Sequence, residues 1–440
     1  MSSARGLLRR NRDFRLLFLA TIVSLAGDWF SFVAVADLVT ELTGRPGAGA
    51  FVYAATVLPV FLASPVAGAI ADRFDRKRIL VIADVVRVPI VLLLCVAAKI
   101  DGAPAVALAI AALVALGVGA SFHDPVASAA TPNIVDEADL ATAQSLMGAT
   151  WGSMLMVGAG LGGLVAEVFG RQTAFIVDAA SFLVSAMLIA AIARPMQERR
   201  TAAQAHAPLG EAIAYIRRDH VVARLVLAKG GVSWSNGIVG LLPAFAHGKF
   251  AGTNIATGLL FAARGLGALL GPAIARVAGG AAPGARAIIL MCGASTLAYG
   301  AVYAAFPIAP TFAAALVLVV LAHLGGGAQW SLSTYGLQMA TPDHLRGRVL
   351  ALDYGLATLA IGGSSIAAGL LAEAVGESGA TWWLAGVAIV YGTAWLAWSL
   401  AGLRTSTATS GSAVSDSTAA TLSATLAGHG APAASKPNDA

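Results

Sequence analysis

Two acids and an arginine stand inside long apolar runs, where a lipid-facing helix carries hydrocarbon: Asp28 in "SLAGDWFSF" (24–32), Asp178 in "FIVDAASFLVSA" (175–186) and Arg264 in "FAARGLG" (261–267). Placing a charge so deep costs roughly 2.5–3.5 kcal/mol on insertion scales, so each is kept for a reason. For Asp28 and Asp178 the available chemistry is proton exchange or contact with a bound ligand; the plainer alternative is a carboxyl that stays protonated and hydrogen-bonds between helices. Arg264 needs a carboxylate or an anionic ligand, because an unpaired guanidinium is costly there. Asp84 and Arg87, three residues apart, are expected to pair with each other, and Lys229, near the end of its run, to snorkel towards water. Trp29, Phe30, Trp151, Trp234, Trp330 and Gln338 could line a cavity for an amphiphile, although tryptophans also serve as interface anchors and core fillers. His123 and His323 stand alone, and Cys95 and Cys292 both fall within apolar runs, so no metal site, disulfide or cofactor is expected.

The elements that must position these groups follow from composition. The chain has 440 residues, 58% apolar and only 12% charged, against about 25% charged in soluble domains. Its apolar runs recur at about the length needed to cross a bilayer, roughly 20 residues. Twelve spans are predicted: 14–38, 47–71, 79–98, 103–125, 142–166, 172–193, 221–247, 254–278, 286–306, 310–337, 347–372 and 380–403. Helix is the expected conformation, because lipid-exposed backbone must satisfy its own hydrogen bonds and the runs lack the alternation of a barrel. Asp28 then lies roughly 21 Å along its helix, at 1.5 Å per residue, well inside a core about 30 Å thick. The basic start "RGLLRRNRDFR" resembles a secretion signal, but Asp28 interrupts its apolar part and eleven spans follow, so it is read as the first span.

Of the 28 Lys and Arg, twenty-one fall on one side if the N-terminus is inside, four on the other (Arg45, Lys99, Arg171, Lys249), and Arg87, Lys229 and Arg264 lie within spans. The positive-inside rule therefore predicts a multi-pass protein of the cytoplasmic membrane with both termini cytoplasmic. The basic excess reports orientation and requires no nucleic-acid partner.

The chain repeats. "GLVAEVFG" (163–170) returns as "GLLAEAVG" (369–376), and Arg12-Asp13 returns as Arg218-Asp219 at the same offset. The organisation expected is a cytoplasmic segment 1–13, a six-helix half 14–193, an amphipathic cytoplasmic linker 194–220, a second half 221–403 and a tail 404–440. The linker carries Leu209, Ile213 and Ile216 at helical spacing. Ser, Thr, Ala and Gly supply 26 of residues 405–440, so that tail is expected to be disordered. Two six-helix halves around a midplane site form the plan of alternating-access transporters.

Several motifs together resemble the major facilitator superfamily, and within it the macrolide-efflux and enterobactin-exporter-like branch. They are "GAIADRFDRKR" (68–78), "SLAGDW" (24–29), "FIVDAASFLVSA" (175–186) and "QMATPDHLRGRV" (338–349). The resemblance implies an all-α polytopic fold of twelve helices in two pseudo-twofold halves, working as a single chain on a small molecule and protons. It also implies that Gly68, Asp72, Arg73 and Arg76 form a conformational loop, with Asp72 facing the start of the eleventh helix; the basic residues of that loop double as topology signals. Asp75 stands where many drug exporters carry glycine, Ala159 where antiporters usually carry proline, and span 103–125 lacks the arginine common in proton antiporters.

"GAGLGGL" (158–164) contains G-x-G-x-x-G, but no strand or βαβ unit surrounds it, so close helix packing is the expected use. No Ser/His/Asp constellation, H-E-x-x-H or phosphate loop suggests an enzyme. The expected activity is proton-coupled export of an amphiphile such as a drug, macrolide-like compound or siderophore. A non-transporting sensor or assembly partner and an importer of the same fold are the alternatives.

Overall fold

The computed structural model describes residues 4–197, 209–279 and 283–427, without the side chains of 64, 65, 68, 69, 71, 72, 124, 141, 343 and 403–427. These residues form helices and no strand: α1 (Ala4–Arg10), α2 (Arg12–Thr43), α3 (Ala48–Arg73), α4 (Arg76–Ala97), α5 (Gly102–Ile134), α6 (Glu137–Phe169) and α7 (Arg171–Ala190). After the linker helix α8 (Leu209–Arg218) come α9 (His220–Ala228), α10 (Gly230–Ser235), α11 (Leu242–His247), α12 (Asn254–Gly279), α13 (Ala285–Ala305), α14 (Phe312–Ala340) and α15 (Asp343–Ala427). Among the described residues, ten helical segments are long and apolar enough to cross a membrane. One of them, His344–Gly402, merges two helices across a break at Gly376, while α3 contributes the shorter apolar stretch Ala48–Ala63. Each predicted apolar run coincides largely with helix.

Helix starts are set by local chemistry. Asn11, Asp75, Asp219 and Thr311 accept the first free backbone N–H groups of α2, α4, α9 and α14, satisfying donors that have no partner within the helix. Gly170 and Gly376, the last residues of the repeated octapeptide, both take positive φ, 84° and 75°. Only glycine adopts that conformation without strain, so one residue type makes the same turn in both halves. Large apolar side chains such as Val277, Val390 and Leu370 remain exposed on the outer faces, as expected where the neighbouring phase is lipid.

The two halves meet along α6 against α12 and α3 against α15. Glycines from "GAGLGGL" make the first contact possible. A Cβ on Gly163 would sit 2.6 Å from the Asn254 carbonyl oxygen and 3.0 Å from the Gly258 Cα on α12, while one on Gly162 would sit 2.7 Å from the Phe30 Cα, where α6 packs on α2 within the first half. The dinucleotide-like string is thus a packing surface.

Four expectations need correction. The seventh run is not one helix: Asn236–Leu241 is a 3-10 segment between α10 and α11. Ser364, from α15, accepts the Gly237 N–H at 2.9 Å, so a side chain of another helix supports this altered backbone. Lys229 does not snorkel; it is buried and ion-paired with Asp353, with Thr334 Oγ1 3.1 Å away, because a buried partner on α15 outweighs the distance to water. His123 is not isolated, lying 3.6 Å from Asp84. The backbone also runs on as helix from 404 to Ala427 where a disordered tail is expected, and 428–440 lie outside the described residues.

The linker helix spans the predicted amphipathic segment. Tyr215 donates its hydroxyl to the Ala340 carbonyl at 2.8 Å, fastening α8 to the end of α14. Burial, with Asp219 close by, holds this phenol above its usual range, so it remains a neutral donor.

Candidate functional site

A cavity of about 470 Å³ lies between the halves, walled by α2, α3, α5, α6, α7, α10, α12, α14 and α15. Asp28, Asp178 and Arg264, separated by up to 236 positions in sequence, all reach it. Trp29, Trp151 and Trp330 line it too. Phe30, Trp234 and Gln338 do not border it. Phe30 is one helical step round from Trp29 and faces α6, where its backbone meets Gly162. Trp234 is 48% exposed, and Gln338 is exposed near the end of α14.

On the first-half side, one arginine gathers several ionisable groups. Arg87 pairs with Asp84 on its own helix, and its Nη1 lies 3.7 Å from Asp28 on α2. The guanidinium also stacks 4.2 Å over the Phe182 ring. Asp178 is fully buried beside them: Ser31 donates to its carboxylate, and Ser181 Oγ lies 3.3 Å from it. The approach is tight, since a Cβ on Gly27 would fall 2.1 Å from Ser181 Oγ and 2.5 Å from the Asp178 carboxylate. One guanidinium cannot balance Asp28, Asp84 and Asp178 together. Asp28 is the member open to the cavity, with a side chain 34% exposed, whereas Asp84 is buried.

On the second-half side, Arg264 on α12 is 4% exposed and ringed by residues of the first half. Its Nη2 donates to Tyr53 Oη at 2.8 Å. The Tyr53 hydroxyl donates in turn to Asn236 at 3.2 Å, and Asn236 donates to Tyr299 Oη at 3.4 Å. This chain of hydrogen bonds crosses from α3 to the 3-10 segment and on to α13. Gln329, in contrast, donates to the Ala228 carbonyl and joins α14 to α9, and His323 shares a 2.8 Å hydrogen bond with Tyr303.

At the end of the bundle carrying Gly170 and Gly376, polar bridges tie the halves together. Asn254 donates to Glu167, and Arg45 donates to Glu373 at 3.1 Å. These two glutamates occupy matching places in the repeated octapeptide. Asp37, fully buried, accepts from Thr257 at 2.8 Å and lies 2.9 Å from His247 Nε2. Sequence reading passed over Asp37 because it sits near the end of its run. Its signal was present in retrospect, as a second acid beside Asp28 in the first span with a histidine ending the seventh.

In the predicted loop, the side chains of Gly68 and Asp72 lie outside the described residues. Arg73 is exposed. Arg76 donates to the carbonyls of Ala129 (2.7 Å) and Met196 (3.2 Å), and Lys77 to that of Ile192 (2.8 Å). Asp75, placed where many drug exporters have glycine, caps α4.

Comparison with known proteins agrees with this architecture. A model of the family described as "Transmembrane secretion effector" matches residues 6–427. The multidrug efflux pump Tap of Mycolicibacterium fortuitum is 28% identical over 374 residues, covering 82% of this chain and 89% of that protein. The uncharacterized MFS-type transporter YkuC of Bacillus subtilis is 24% identical, covering 54% of this chain and 57% of its own. Among solved structures, a peptide transporter POT in complex with sulfate superposes with a TM-score of 0.72 at 13% identity, covering 89% and 95% of the two chains. The D-xylose-proton symporter gives 0.66 at 13% identity, covering 87% and 97%. At such identities these structures establish the fold alone.

Proposed function

Because the chain belongs to the transmembrane secretion effector family of major facilitator transporters, we propose that it exports an amphiphilic small molecule across the cytoplasmic membrane in exchange for protons. Twelve spans in two six-helix halves rock about the central cavity, with both termini and the linker cytoplasmic. In that orientation the bridged end of the bundle is the outer end. The observation that carries the reading is Asp28, which borders the cavity while touching the Arg87–Asp84 pair and neighbouring Asp178. A proton taken up by this group changes the charge beside the ligand, which is how occupancy and protonation become coupled. Efflux is further supported by the relative named as a multidrug efflux pump.

The cycle follows from the contacts. Substrate enters the cavity while the outer end is held by the Glu167–Asn254, Glu373–Arg45 and Asp37–His247 contacts. Parting those contacts opens the cavity outward, and a proton gained from outside displaces the Asp28 interaction with Arg87 and favours return. Inside-out vesicles with an acidic lumen test this. A panel of a macrolide, a catecholate siderophore and a lipophilic cation should include at least one compound accumulated by the protein, and a protonophore should collapse that accumulation. Accumulation indifferent to the protonophore removes proton coupling, and movement only out of the vesicles makes the protein an importer.

A further inference from the structure

We infer that Arg264 is the docking point for an anionic group of the substrate, so that the compound carried is an aromatic or flat apolar amphiphile bearing a negatively charged oxygen group. This deepens the export reading and rests on it. Arg264 is the cavity's charged group left without a counter-charge: among the described residues no carboxylate pairs with it, and its Nε and Nη1 have no hydrogen-bond partner. Only Nη2 is engaged, by the uncharged Tyr53 hydroxyl. The cavity's two carboxylates are held elsewhere, Asp28 beside Arg87 and Asp178 by Ser31.

What surrounds the guanidinium describes the rest of the ligand. The rings of Trp29, Tyr53 and Trp151 lie 5.9, 5.3 and 5.3 Å from its central carbon. Trp29 and Trp151 meet edge to face at 6.2 Å. Aromatic faces partly offset the desolvation of a cation but accept none of its N–H bonds. An anionic oxygen does both, and charge-assisted bonds to a guanidinium are among the stronger ones available. The same rings offer flat apolar surface directly beside the charge. A cationic head at this position would face the Arg264 guanidinium, in a site where like charges repel strongly.

The test uses three probes with one ring system: 2-naphthoate, 2-naphthalenemethanol and 2-naphthylmethylammonium. Thermal-shift titrations of the full chain in nanodiscs of zwitterionic lipid, without a proton gradient, give an apparent affinity for each. Naphthoate should bind roughly tenfold or more tighter than the alcohol, a difference of about 1.4 kcal/mol, and the ammonium weakest. Arg264→Gln should abolish the preference for naphthoate, and Arg264→Lys should retain part of it. Naphthoate stabilisation no greater than that of the alcohol, including none from either, overturns the inference. So does an unchanged preference in Arg264→Gln. If that variant fails to fold, the wild-type series alone decides. Because no gradient is involved, loss of proton-driven transport would sink the export reading while leaving this result readable, and transport of neutral amphiphiles without anion preference would sink only the anion site.

Discussion

Asp28 and Lys229 show how the same cost of burial leads to different roles. The Lys229–Asp353 ion pair is closed on itself, both side chains being at most 4% exposed. Removing one partner leaves a buried charge uncompensated, so Lys229→Met should destabilise the protein by about 3–5 kcal/mol, and the double change with Asp353→Leu should recover much of that loss. Thermal unfolding of the two variants in detergent measures both, and an additive double change would argue against the pairing. Asp28, by contrast, is partly open to the cavity and shares Arg87 with Asp84. Asp28→Asn keeps size and hydrogen-bonding capacity but removes the titratable group. Transport driven by a pH gradient should fall sharply, while exchange of labelled for unlabelled substrate survives, since exchange requires no change in protonation. A carboxyl that only packs between helices predicts near-normal behaviour in both assays.

At the scale of elements, the closure of the bridged end depends on backbone approaching backbone. A Cβ at Gly47 would lie 2.4 Å from the Gly369 carbonyl oxygen, and one at Gly240 2.4 Å from the Ala50 Cα. Backbone atoms cannot swing aside as a flexible side chain does, so Gly47→Ala should weaken this closure. Overpacking costs about 1–3 kcal/mol, which corresponds to a population change on the order of tenfold. The reporter is Val57→Cys, on the cavity wall, in a background with Cys95 and Cys292 replaced. A membrane-impermeant thiol reagent added outside should label it faster by about that factor in the Gly47→Ala protein. Equal labelling rates would show that this contact does not limit outward opening. The 3-10 segment Asn236–Leu241 adjoins both regions, with Gly240 against α3 and Asn236 bonded to Tyr53, so the cavity and the bridged end share one short piece of irregular helix.

Across the whole molecule, the transport machinery is built from α2 to the region before Arg404, and the Ser-, Thr- and Ala-rich remainder has no sustained apolar stripe. Truncation after Arg404 should therefore preserve expression, folding and transport. Loss of folded protein on size-exclusion chromatography, or of transport by a well-folded truncation, would assign the tail a role. The halves themselves are related by more than shared helix number. Gly170 and Gly376 make the same turn, and Glu167 and Glu373 each reach the opposite half. The repeat therefore supplies one glutamate from each half to the bridges at this end.

Composition, run length and the distribution of Lys and Arg were enough to establish an all-helical membrane protein in the sequence, because the absence of water in the bilayer leaves a chain few alternatives. The octapeptide repeat was legible for a similar reason: glycine at a positive-φ turn tolerates little substitution, so it marks the same place twice. Asp28, Asp178 and Arg264 stood out individually, since a charge in an apolar run is conspicuous wherever it lies. Their partners did not. Nothing in the spacing of residues says that Arg87 serves Asp28 as well as Asp84, that Lys229 finds Asp353 124 positions away, or that Arg264 of one half is ringed by Trp29, Tyr53 and Trp151 of the other. Helical periodicity gives the face a residue occupies only relative to its own helix. Which faces meet is decided by how helices tilt, rotate and approach at their glycines, and only the tertiary structure settles that.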